Sequence, residues 1–93
     1  MTDAELLAKV KSGLGLSGDY TDPTILPKTL AAKQYMLNAG VAIEQLETEL
    51  GIVTLTVGVN DLWDLTSGEV KFSPAFDILM TQLKVVSMPD DDV

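Results

Sequence analysis

The stretch from Leu50 to Leu65 constrains the fold of this chain more than any other. Taken alone, Val53-Thr54-Leu55-Thr56-Val57-Gly58-Val59-Asn60 alternates apolar and polar side chains, the period of a half-buried strand. A wider window gives another pattern. Ile52, Leu55, Val59, Leu62 and Trp63 fall on one helical stripe, with Asp61 and Asp64 on the opposite side. Val53 and Val57, one turn apart, add a second apolar strip on that far side. The helical stripe is the longer of the two patterns, so it predicts a helix. A helix apolar on two sides belongs at the centre of a bundle, covered on both flanks.

The rest of the chain is punctuated as helices. Thr2-Asp3-Ala4-Glu5 has the spacing of a capping box and opens a helix over about residues 3–12, with Leu6, Leu7 and Val10 inward. Gly13, Gly15 and Gly18 end it. Asp22-Pro23 reads as a capping acid followed by proline at the first helical position, and Pro27 predicts either a kink or a start at Pro27 itself. That helix runs through Leu30, Ala31, Tyr35 and Leu37 to Gly40, placed as a C-terminal glycine. Ile43, Leu46 and Leu50 mark a short helical turn before the central helix, which Thr66-Ser67-Gly68 stops. Glu69-Val70-Lys71-Phe72 is a short extended connector. Ser73-Pro74 opens a last helix with Phe76, Leu79, Met80 and Leu83 inward, ending at about Val86.

The expected fold is therefore all-α, a small bundle of four to five helices with a short extended connector before the last one. Residues 1–86 form one domain. Residues 87–93 form a flexible acidic tail, because Pro89 lacks an amide hydrogen and Asp90, Asp91 and Asp92 repel one another at the negative end of a helix. Met88 and Val93 alone could bury apolar surface there, too little to offset ordering at roughly 1–2 kcal/mol per residue. Trp63, Leu55, Val59 and Phe76 are the expected core anchors. On that reading Trp63→Ala costs about 3–5 kcal/mol and unfolds much of the population. Val53, Val57, Asp61 and Asp64 are the candidate subunit interface.

Composition removes most chemistry. Cysteine and histidine are both absent, which excludes disulfides, thiol catalysis and the commonest general base and transition-metal ligand. Five serines, Ser12, Ser17, Ser67, Ser73 and Ser87, thus have no histidine to activate them. Asp19 and Asp22 lack the glycine and late glutamate of a calcium loop. Asp61 and Asp64, like Glu44, Glu47 and Glu49, read as a solvated helix face rather than an acid–base pair. Neither Gly18-Asp19-Tyr20 nor Phe72-Ser73-Pro74 supplies the Asp-Ser pair of an acyl carrier protein. No enzymatic activity, metal or cofactor is expected.

Charge narrows the partners. Residues 1–40 balance four acids with four lysines, whereas residues 41–93 carry ten acids against Lys71 and Lys84, the whole of the net −8. There is no arginine, so the chain offers little to a phosphate backbone. No apolar run is long enough for a membrane span, and Met1 to Val10 lacks the order of a signal peptide.

Three segments together carry a resemblance: Met36-Leu37-Asn38-Ala39-Gly40-Val41, Val59-Asn60-Asp61-Leu62-Trp63-Asp64, and Ser67-Gly68-Glu69-Val70-Lys71-Phe72-Ser73-Pro74-Ala75-Phe76. In order and spacing, over roughly residues 5–84, the chain resembles the head–tail connector (adaptor, or head completion) proteins of tailed bacteriophages. Pro27 and Thr54-Leu55-Thr56 depart from that pattern. The resemblance implies a structural virion-assembly protein, made in the bacterial host cytoplasm and residing at the head–tail interface. It also implies a homo-oligomeric ring, commonly of twelve copies, beneath the portal protein and against the next connector or tail-completion protein. DNA would pass through the channel without specific binding. Met88, Asp90, Asp91 and Asp92 then read as a docking tail for a neighbouring ring. At −8 per subunit the isolated chain is expected to be monomeric in dilute solution. The other reading is a monomeric acidic inhibitor that mimics DNA charge, for which regularly spaced carboxylates are expected.

Overall fold

The computed structural model describes residues 1–63 and 72–88. Among the described residues five helices follow one another: α1 (Asp3–Leu14), α2 (Asp22–Asn38), α3 (Ile43–Leu46), α4 (Glu49–Trp63) and α5 (Pro74–Ser87). No strand occurs among the described residues. The fold is a small all-α bundle with α4 at its centre, packed against each of the other four helices. Expectations that concern residues 64–71 and 89–93 lie outside the described residues. They include Asp64, the Thr66-Ser67-Gly68 stop, most of the connector, and Asp90 to Asp92.

The alternation at 53–60 forms a helix because its polar members are satisfied within the helix. Thr54 Oγ1 donates to the Leu50 carbonyl at 2.7 Å, and Thr56 Oγ1 to the Ile52 carbonyl at 2.8 Å. Thr54 is consequently fully buried without needing water. With the hydroxyls accounted for, the helical stripe decides.

Local signals set the other helix ends. In the capping box of α1, Thr2 Oγ1 accepts from the Glu5 amide at 3.1 Å, and the Thr2 amide donates to Glu5 Oε1 at 3.0 Å. The Thr2 amide bonded to the carboxylate holds the Glu5 carboxyl below its usual pKa. The helix runs to Leu14, two residues beyond expectation, and Gly15 closes it at φ 73°.

Thr21, not Asp22, precedes α2, and its side chain makes no cap bond. Asp22 instead sits in the first turn, where Lys11 reaches it at 2.6 Å. The contact is an ion pair rather than an aligned hydrogen bond. Lys11 also donates to the Gly18 carbonyl, tying the end of α1 to the start of α2. Pro27 lies inside α2, and the alternative start there is not taken. The amide it lacks would have met the Pro23 carbonyl, and both prolines face solvent, where water can serve instead. At the far end, Gly40 (φ 107°) and Val41 donate to the carbonyls of Leu37 and Met36, both at 3.1 Å. Val41 and Met36 are both buried, so the turn also carries the chain back into the core.

Ser73 caps α5, with Pro74 in its first turn. The helix ends at Ser87, one residue beyond expectation, because that hydroxyl is engaged. Ser87 Oγ donates to the Leu83 carbonyl at 2.7 Å and accepts from the Ala42 amide at 2.9 Å. Ser87 therefore belongs to the bundle rather than to the tail. The core gathers Leu6, Val10, Ile25, Met36, Leu46, Leu55, Val59, Phe76 and Leu83, all with no exposed surface.

Candidate interaction surface

The inward face of α4 is made of Gly51, Thr54, Leu55, Gly58 and Val59. Three of these five are small, so neighbouring elements approach its backbone closely. A Cβ on Gly51 would stand 2.1 Å from the Leu46 carbonyl oxygen and 2.3 Å from that of Gln45. One on Gly58 would stand 2.6 Å from Cε1 of Phe76. Phe76 in turn stacks on Phe72 with ring centroids 4.4 Å apart, and Tyr35 closes the cluster at 4.6 and 5.8 Å.

Leu55, Val59 and Phe76 are fully buried, as expected, but Trp63 is not a core anchor. It is 40% exposed and borders a shallow hollow of about 210 Å³ with Leu14, Leu16 and Asn60. The geometry of the helix explains the difference. Each four-residue step advances about 40° beyond a full turn, so three steps from Gly51 carry Trp63 roughly 120° off the buried line. Leu62 takes the inward place and packs against the core.

The four interface candidates divide. Val53, on the side of α4 away from the core, is 52% exposed, so the helix is not covered on both flanks. Val57 is half-buried against the core. Asp61 is not a free surface acid, because Oδ2 accepts from the Ser73 amide at 2.9 Å and from its hydroxyl at 2.8 Å. The carboxylate thus holds the N-terminus of α5 against the end of α4. Asp64 lies outside the described residues. Replacing Asp61 with Ala strands both Ser73 donors in a half-buried place, and should lower unfolding free energy by about 1–3 kcal/mol. Urea denaturation will show this as an earlier midpoint with an unchanged slope.

Besides the hollow at Trp63, two larger open apolar faces lie among the described residues. Ile52 and Val53 floor a groove of about 360 Å³ between α1 and the start of α4, bordered by Met1, Lys9, Glu47 and Glu49. The Met1 ammonium pairs with Glu47 at 2.7 Å across its rim. The second face is the outer side of α5, where Ile78, Val85 and Val86 are all more than half exposed, as is Met88 just beyond its end. Its seven-residue spacing of Ile78 and Val85 is visible in the sequence. Met88 is thus exposed and close to this face in sequence, and the rest of the docking tail is outside the described residues.

Among the described residues no three acidic side chains lie close enough to hold a metal ion. Nor is any helix there long and apolar enough to cross a membrane. No protein-family model, curated protein or solved structure matches this chain.

Proposed function

We propose that this chain is a structural ring subunit of a tailed-bacteriophage head–tail connector, without enzymatic activity. It docks beneath the portal and joins the DNA-filled head to the tail. The observation that carries the reading is the pair of unlike open apolar faces on one small domain, the groove beside Val53 and the outer side of α5. A ring subunit needs two different, mutually complementary faces, since a heterologous contact closes by rotation. The ordered resemblance of residues 5–84 to connector proteins supports the same reading, and the acidic second half suits a duct through which DNA slides.

The charge-mimic alternative fits less well. Asp3 and Asp22 pair with Lys33 and Lys11, Glu47 with the Met1 ammonium, and Glu5 and Asp61 serve helix ends. Those carboxylates are spent on the fold rather than set out as a phosphate-like array. Quantitative mass spectrometry of purified virions separates the two. A connector copurifies with mature particles at a copy number close to that of the portal protein. Absence from the particles, with inhibition of a nuclease in a gel-shift competition, supports the mimic and rejects the connector.

A further inference from the structure

We infer that copies of this chain meet head to tail, the outer face of α5 of one copy seating in the α1–α4 groove of the next. The contact deepens the ring reading and rests on it for closure of the ring, but it can be tested with no portal present.

The two faces complement each other in both shape class and charge. One is a groove with an apolar floor of Ile52 and Val53, the other a helix side led by Ile78 and Val85. Ile78 and Val85 stand two turns apart, a line of roughly 10 Å along α5. Asp77 and Lys84 flank that line with the same spacing and opposite charge. The groove presents Lys9 from α1 and Glu49 from the start of α4. Among the described residues none of these four charged groups forms an ion pair within the chain. Seating α5 with Lys84 toward Glu49 and Asp77 toward Lys9 pairs all four while covering Val53, Ile78 and Val85. Pairing α5 with α5 across a two-fold axis would leave the groove open, and pairing groove with groove would leave α5 open. Seating α5 of one copy in the groove of another covers both faces at once, and propagated from copy to copy it is the heterologous contact that a ring closes.

The chain has no cysteine, so single cysteines report the contact cleanly. Val53→Cys and Val85→Cys both alter exposed positions and should leave the far-UV circular dichroism unchanged. Mixed in equal amounts at high protein concentration, where copies that are monomeric when dilute can meet, and oxidised at low salt, they should yield the disulfide between positions 53 and 85 well above its random share. Glu49→Lys in the Val53→Cys chain should lower that yield roughly two- to fivefold, as expected for an exposed ion pair. Lys84→Glu in the Val85→Cys chain should then restore it. A mixed disulfide at or below its random share, or a Val85–Val85 dimer in excess, overturns the inference. Mixed disulfide from a chain missing from virions keeps this contact and rejects the connector reading. Virion incorporation without mixed disulfide does the reverse.

Discussion

Phe76→Ala should remove a large share of the protein's stability. The ring is wholly buried, lies on the bare backbone of Gly58, and stacks on Phe72 and near Tyr35. Its removal costs the transfer free energy of a phenyl group and leaves a cavity that the helices can close only in part. Together these amount to about 3–5 kcal/mol. A domain of this size holds roughly 5–15 kcal/mol in all, and each kcal/mol shifts its melting temperature by about 4–8 °C. A fall of the order of 20 °C is therefore expected. Trp63→Ala is the informative partner. With Trp63 at the open end of α4, about 1–2 kcal/mol is expected, well below the cost of a buried tryptophan. Differential scanning calorimetry of the two variants will rank them. Equal losses would return Trp63 to the core.

Gly51→Ala is expected to destabilise by the opposite route, too much volume rather than too little. The added methyl would meet two carbonyl oxygens of α3, at 2.1 and 2.3 Å, and neither belongs to a side chain that can rotate away. Relief requires α3 and α4 to part, which separates Leu46 from Leu55 and from the core they share. Overpacking of this kind costs about 1–3 kcal/mol and sometimes more, and the rigid backbone obstacle puts Gly51 at the upper end. Alanine's better helix propensity returns at most about 1 kcal/mol. Gly58→Ala should be milder, because the obstacle there is the Phe76 ring, which can shift. Chemical denaturation of both variants checks the order. A Gly51→Ala protein as stable as the parent would show that α3 does not rest on α4 as described.

These two glycines also mark where sequence reasoning stopped short. Thr2, Gly40 and Ser73 can be read directly because a cap or a left-handed turn is a local bargain between neighbouring residues, whereas of Gly13, Gly15 and Gly18 the first lies inside α1 and the second closes it. Residues 52–63 are legible as helix because a stripe of large apolar residues outlasts a short alternation. Yet the side of α4 that packs most closely is lined by Gly51, Thr54 and Gly58, spaced three and four apart, which hydrophobicity alone does not register. Trp63 lies away from the core for a related reason. A four-residue apolar repeat drifts around a helix, and size argued for the core where angle argued against it. Asp61 looked like a solvated acid because its partner, Ser73, lies across the intervening chain, and only the folded structure brings them together. The groove beside Val53 was half legible. The sequence marked Val53 and Val57 as an extra apolar strip, and the structure keeps Val53 open while folding Val57 toward the core.

The connector reading stands or falls on contact with a portal. The direct measurement is electron microscopy of the purified chain mixed with portal rings from the same phage, with analysis of class averages along and across the ring axis. The expected result is an added layer of density on one end of the portal, with the portal's own rotational symmetry and an open central channel. Substituting charged residues for Val53 or Val85 should abolish that layer without unfolding the protein, since both side chains are exposed. Portal rings that remain bare at saturating concentrations of the folded chain would contradict the reading.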